Sequence, residues 1–208
     1  MAGILLVVSC MTTSPKGGAD STRNPASVDF QSLSPDDAFK VIHQVATGPR
    51  CTNCHAKGER PLQLEGADSR FHNMYVHRQF SQLGGLCVTC HQNRNFDTAH
   101  MPPGAENWRM PSSMKSYDGQ TTADELCHIW KSDRNQFEEG AQTGQKRTPQ
   151  ELLDHVSNDP LVKWAFDPGP GRTPAGNSLG TTANGHAIFV QYYKAWVDGG
   201  APCPDDKN

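Results

Sequence analysis

The pattern Cys-x-x-Cys-His occurs twice in this chain, as Cys51-Thr-Asn-Cys54-His55 and as Cys87-Val-Thr-Cys90-His91, and nothing else constrains the fold as strongly. Two thiols spaced by two residues match the separation of the two vinyl groups on one edge of a haem. The histidine that follows falls beneath the iron as its proximal axial ligand. The expectation is therefore two haem c groups, with thioethers at Cys51, Cys54, Cys87 and Cys90 and proximal nitrogen ligands from His55 and His91. A four-cysteine zinc site is the first rival, but 32 residues separate the two pairs, and zinc gives no reason for a histidine after each. A thioredoxin-like dithiol is the second. It needs a β-branched strand ahead of the motif, and neither motif has one.

Haem attachment of this kind belongs to an exported protein, and the N-terminus agrees. Met1-Ala-Gly-Ile-Leu-Leu-Val-Val-Ser-Cys10 carries an apolar run far shorter than the roughly 20 residues that span a bilayer, but suited to a signal peptide. Its end, Val7-Val8-Ser9-Cys10, resembles the lipobox of bacterial lipoproteins, which predicts lipidation at Cys10. A cleaved signal peptide without a lipid is the alternative. Location is then periplasmic, with the membrane reached only through that anchor. Of seven cysteines, four lie in the motifs and one is Cys10, which leaves Cys127 and Cys203 to form a disulfide in an oxidising compartment.

Composition narrows the class further. Only 35% of residues are hydrophobic, against 19 glycines and 15 prolines, so the core needs a supplement such as a large apolar cofactor. The net charge of −3, with no basic block, excludes the electrostatic footprint of a nucleic-acid binder.

The chain divides into residues 1–10 (signal and lipobox), 11–33 (a flexible polar lead) and 34–208 (the di-haem domain). Ser34-Pro35-Asp36-Asp37 is a helix start, with Ala38, Phe39, Ile42, Val45 and Ala46 on one apolar face and Gly48-Pro49 as the stop. A second helix is predicted at about Phe71–Leu83. Thr122-Ala-Asp-Glu125 and Thr148-Pro-Gln-Glu151 are capping boxes that open two more helices. A Gly/Pro loop covers 167–185, and a last helix runs over about His186–Val197 with Phe189, Tyr193 and Trp196 inward. No segment alternates at period two. The predicted fold is mostly α and loop-rich, a cytochrome c-like domain of short helices around two covalent haems.

The sixth iron ligand decides between electron transfer and ligand chemistry. His72 is the leading candidate, since it lies between the motifs near a helix start. His155, at the edge of an apolar helix face, and Met114, in a proline-rich loop, follow. His43, His77, His100, Met74, Met101 and Met110 are weaker, and any of the leading three can serve either iron.

The same residues resemble a family of small bacterial di-haem cytochromes labelled isoquinoline 1-oxidoreductase subunit, over about residues 40–204. The matching segments include Pro49–His55, His72-Asn-Met74-Tyr-Val76, Cys87–Gln92, Trp108, Met114, Leu126-Cys127, His155-Val156, Asp159–Trp164 and Trp196–Pro204. Trp108-Arg-Met110-Pro111 departs from the Trp-His-Leu-Ala usual in that family. The resemblance implies a periplasmic electron carrier, not itself an enzyme. It would take electrons from an exported oxidoreductase such as a molybdenum hydroxylase and pass them to a downstream cytochrome or oxidase. A di-haem peroxidase and a subunit of a haem-stacked extracellular filament are the competing expectations.

Overall fold

The computed structural model describes residues 28–58, 60–63, 70–73, 87–96, 101–111, 115–132, 145–168 and 183–206. Cys10, Met74, His77, His100 and Met114 lie outside the described residues, as do most of the N-terminal lead, the body of the helix predicted after Phe71 and most of the 167–185 loop.

Helices dominate what is described. In chain order they are α1 (Pro35–Ala46), α2 (Pro49–His55), α3 (Ala123–Lys131), α4 (Pro149–Asn158), α5 (Pro160–Phe166) and α6 (Ala183–Asp198). Each start up to α5 follows from its sequence. Ser34 Oγ accepts from the Asp37 amide, and Thr122 and Thr148 form complete capping boxes with Glu125 and Glu151. Proline fills the first helical position of α1, α2, α4 and α5, where its missing N–H costs nothing.

The helix predicted from Phe71 does not begin there. Arg70–Phe71 is instead β2, antiparallel to β1 (Leu62–Gln63) with Leu62 opposite Phe71. Pairing with Leu62–Gln63, a short way upstream, overrode the helical pattern at its first residue. Helix α5 was also unforeseen as a separate element, although its signal is the one used elsewhere: Asp159 caps the Leu161 amide and Pro160 follows.

One core holds the helices. Ala38, Phe39, Ile42, Val45 and Ala46 of α1 are all buried, as their spacing predicts, and they pack on α6 through Phe189, Tyr193 and Trp196. Leu126, Cys127 and Trp130 of α3, Leu152 and Val156 of α4, and Phe166 of α5 complete the cluster. Val28, Phe30 and Leu33 also pack against it, Phe30 meeting Tyr192 edge-on at 5.0 Å, so the polar lead joins the core before the Ser34 cap.

The disulfide expected between Cys127 and Cys203 is present, with Cα atoms 5.6 Å apart. Gly200 (φ 90°) and Ala201 (φ 50°) turn the chain after α6 to bring it there, and Trp196 Nε1 donates to Pro202 O at 2.9 Å. No helix among the described residues is long and apolar enough to cross a membrane.

Candidate haem-attachment sites

Helix α2 is the first Cys-x-x-Cys-His motif. On an α-helix, residues three and four apart share a face, so Cys51, Cys54 and His55 project together. The second motif is a single turn: a 3-10 segment covers Cys87–Thr89, and the His91 amide donates to Cys87 O at 2.8 Å. Each motif is thus wound so that two sulfurs and an imidazole leave from one side. The four motif thiols are free of disulfides.

Both histidines are braced in the same way. His55 Nδ1 donates to Lys115 O at 2.7 Å, and His91 Nδ1 donates to Pro103 O at 2.7 Å. Placing the proton on Nδ1 makes Nε2 the lone-pair nitrogen. This is the tautomer and the carbonyl partner that metal-ligating histidines use to fix their orientation. A flat aromatic ring then backs each imidazole: Tyr117 stacks on His55 at 4.8 Å and 24°, and Trp108 stacks on His91 at 4.3 Å and 2°.

Sequence reasoning missed what builds these braces. Around His55, Lys115 is buried, and its Nζ donates to Ile129 O (3.1 Å), Ser132 O (3.0 Å) and Ser132 Oγ (2.7 Å), a cation on the carbonyl end of α3. Its own carbonyl is thereby pinned under His55, and the Tyr117 amide returns a bond to His55 O at 2.8 Å.

Around His91 the loop is held by Asn95, whose Oδ1 accepts from the Gly104 amide at 2.8 Å and whose Nδ2 donates to Pro168 O. Gly104 lies so close to the strand-like segment at Arg94 that a Cβ there would collide with the Arg94 carbonyl. Asn107, at φ 57°, turns the chain that delivers Trp108. Trp164 meets Trp108 edge-on at 5.1 Å and forms part of the wall of a cleft of about 500 Å³ shared with Asn95, Gly104 and His186.

The thiols themselves speak against the rival chemistries. Burial, and then the neighbouring Cys54, push the Cys51 thiol up to about 12, whereas a redox-active dithiol needs a lowered value. The two cysteine pairs do not converge on a shared zinc position. Among the described residues the one group of three potential ligands is His128, Cys203 and Asp205, and Cys203 is spent in the disulfide.

Segments that flank the second motif expose large apolar side chains among polar ones. Phe71 (51% exposed), Val88 (41%), Phe96 (43%) and Met101 (40%) are the exposed large hydrophobic side chains of the described residues, and all lie on segments that carry or adjoin the second motif or His72. Exposed apolar side chains on the segments that flank a motif suit contact with a large apolar cofactor.

Of the distal candidates, His72 lies beside the second motif: its ring centre is 6.3 Å from that of His91, with the planes at 46°. His155 turns its Nδ1 toward Asp159 Oδ2 at 3.4 Å, and Asp159 also takes Arg109 at 2.5 Å. His43 Nε2 bonds Thr121 O at 2.8 Å. Met110 is buried, and Met101 is exposed.

Comparison of the chain with protein-family models, with curated proteins and with solved structures returned no match.

Proposed function

We propose that this protein is an exported electron carrier holding two haem c groups, one on each Cys-x-x-Cys-His turn. The observation that carries the reading is the repeated brace, in which each motif histidine is locked as the Nδ1–H tautomer by a loop carbonyl at 2.7 Å and backed by a stacked aromatic ring. The same arrangement is built twice from unrelated loops, as orienting two metal-ligating histidines requires.

The chain's own residues have distinct tasks. Each motif thiol would add across one vinyl group, its sulfur to one carbon and its hydrogen to the other, the S–H bond and the vinyl π bond giving way to new C–S and C–H bonds. His55 and His91 would hold the iron through Nε2. Bound haem supplies one-electron iron chemistry at a potential set by axial ligands and burial. The ring sequence His91, Trp108, Trp164 leads from the second site to the wall of the cleft, a route by which an electron can reach the surface.

The resemblance to the isoquinoline-type di-haem cytochromes favours a periplasmic molybdenum hydroxylase as donor and a downstream cytochrome or oxidase as acceptor. Lipidation at Cys10 would keep the carrier at the membrane that such partners share. Potentiometric titration of protein matured with cytochrome c assembly machinery tests the carrier role. Two one-electron waves per chain, with no turnover of hydrogen peroxide, are expected. Peroxide turnover by the half-reduced protein would replace the carrier with a peroxidase.

A further inference from the structure

We infer that His72 is the second axial ligand of the haem attached at Cys87 and Cys90, opposite His91. The inference deepens the di-haem reading above and rests on it.

The distance between the two rings carries the assignment. A metal–imidazole nitrogen bond is about 2.0–2.1 Å, and the centre of a five-membered ring lies roughly 1.2 Å behind its nitrogen. Two imidazoles trans across one metal therefore have ring centres about 6.4 Å apart. His72 and His91 stand at 6.3 Å. Direct stacking places rings much nearer, as Trp108 does on the same His91 at 4.3 Å. The 46° between the two planes is compatible with trans ligation, because each ring can turn about its own bond to the metal without changing the distance.

The backbone of His72 is also held in place. Its amide donates to Pro61 O at 2.8 Å, and Arg60 Nε donates to its carbonyl at 2.7 Å, so its backbone is fixed on both sides. The Arg60 guanidinium lies 5.7 Å from the centre of the Phe71 ring, which ties the same turn to β2. The two-stranded β1–β2 pairing thus acquires a purpose: it sets His72 against a motif 15 positions further along the chain. Pre-organising both histidines before haem arrives reduces the ordering cost of six-coordination. The second haem is then bis-histidine and closed to added ligands, which assigns it to electron transfer rather than to peroxide or gas chemistry.

The test uses the full matured chain. In His72→Ala, intact mass still shows two haems. A low-spin signal in low-temperature electron paramagnetic resonance gives way to a high-spin signal. The reduced protein binds one more equivalent of carbon monoxide than wild type, and free imidazole restores the low-spin spectrum. His72→Met, which keeps a ligand and the fold, raises one midpoint potential and leaves the other in place. Introducing His72→Ala into a chain already lacking Cys87 and Cys90 changes nothing. Two attached haems with unaltered resonance and carbon monoxide stoichiometry in His72→Ala would overturn the assignment. So would a spectral change that persists in the chain without the second site. Wild-type protein that gains no haem would instead remove the di-haem reading itself.

Discussion

A histidine nitrogen is a usable ligand only if its ring is held and its proton is on the far side, and at His55 and His91 backbone carbonyls do both. The thiols and imidazoles of the proposed sites stand out in the sequence because covalent haem attachment would demand a fixed spacing of fixed residue types. The braces do not. Lys115 and Pro103 contribute only a carbonyl, which every residue has, and Asn95 and Gly104 act on the loop that carries Pro103. Gly104 offers the sharpest test at this scale. In Gly104→Ala the new methyl meets the Arg94 carbonyl, so the loop must shift away from His91. Overpacking of this kind costs about 1–3 kcal/mol. A urea titration of the matured variant is expected to show that loss, with the visible spectrum altered at one haem of two. A spectrum and midpoint equal to wild type would separate Gly104 from the brace.

Among the helices, the start signals were read correctly because caps are local chemistry: Ser34, Thr122 and Thr148 each satisfy amides within three residues. The helix expected from Phe71 gives way to β2 there because two-residue strands are too short to show any alternation in the sequence. Asp159 links two helices, as C-cap of α4 and N-cap of α5. Burial alone would raise its carboxyl, but the hydrogen bond and charge of His155 and the charge of Arg109 outweigh burial and hold it well below the usual carboxylate range. A depressed folded value means that the stabilisation is fully present above the unfolded value, about 3.9, and is lost as pH falls below it. Wild type should therefore lose stability on the order of 2 kcal/mol through this residue on acidification. Asp159→Asn, which retains an oxygen for the Leu161 amide, should be weaker at neutral pH and flatter below pH about 4. Parallel acid titrations of the two proteins followed by circular dichroism would show whether the slopes differ.

The whole molecule pairs a packed helical core around α1 and α6 with a second motif region whose large apolar side chains stand exposed. The mostly α class was legible for the same reason as the caps. The proximity of His72 to His91 was not, because it depends on how a short hairpin is placed. The disulfide between Cys127 and Cys203 closes a loop over a sequence separation of 76 and secures the chain end to α3. Replacing both cysteines by serine is expected to cost about 2–5 kcal/mol in a urea titration, with both haems still attached. A loss below 1 kcal/mol would show that tertiary packing alone holds the tail.

The central claim is that Cys51, Cys54, Cys87 and Cys90 each form a thioether to haem. Intact-mass measurement of protein matured with the assembly machinery, followed by peptide mapping, tests it directly. The expected result is a gain of two haem masses, with one haem on the peptide containing Cys51–His55 and one on that containing Cys87–His91. Unmodified mass, or thiols that remain open to alkylation at either motif, would contradict it.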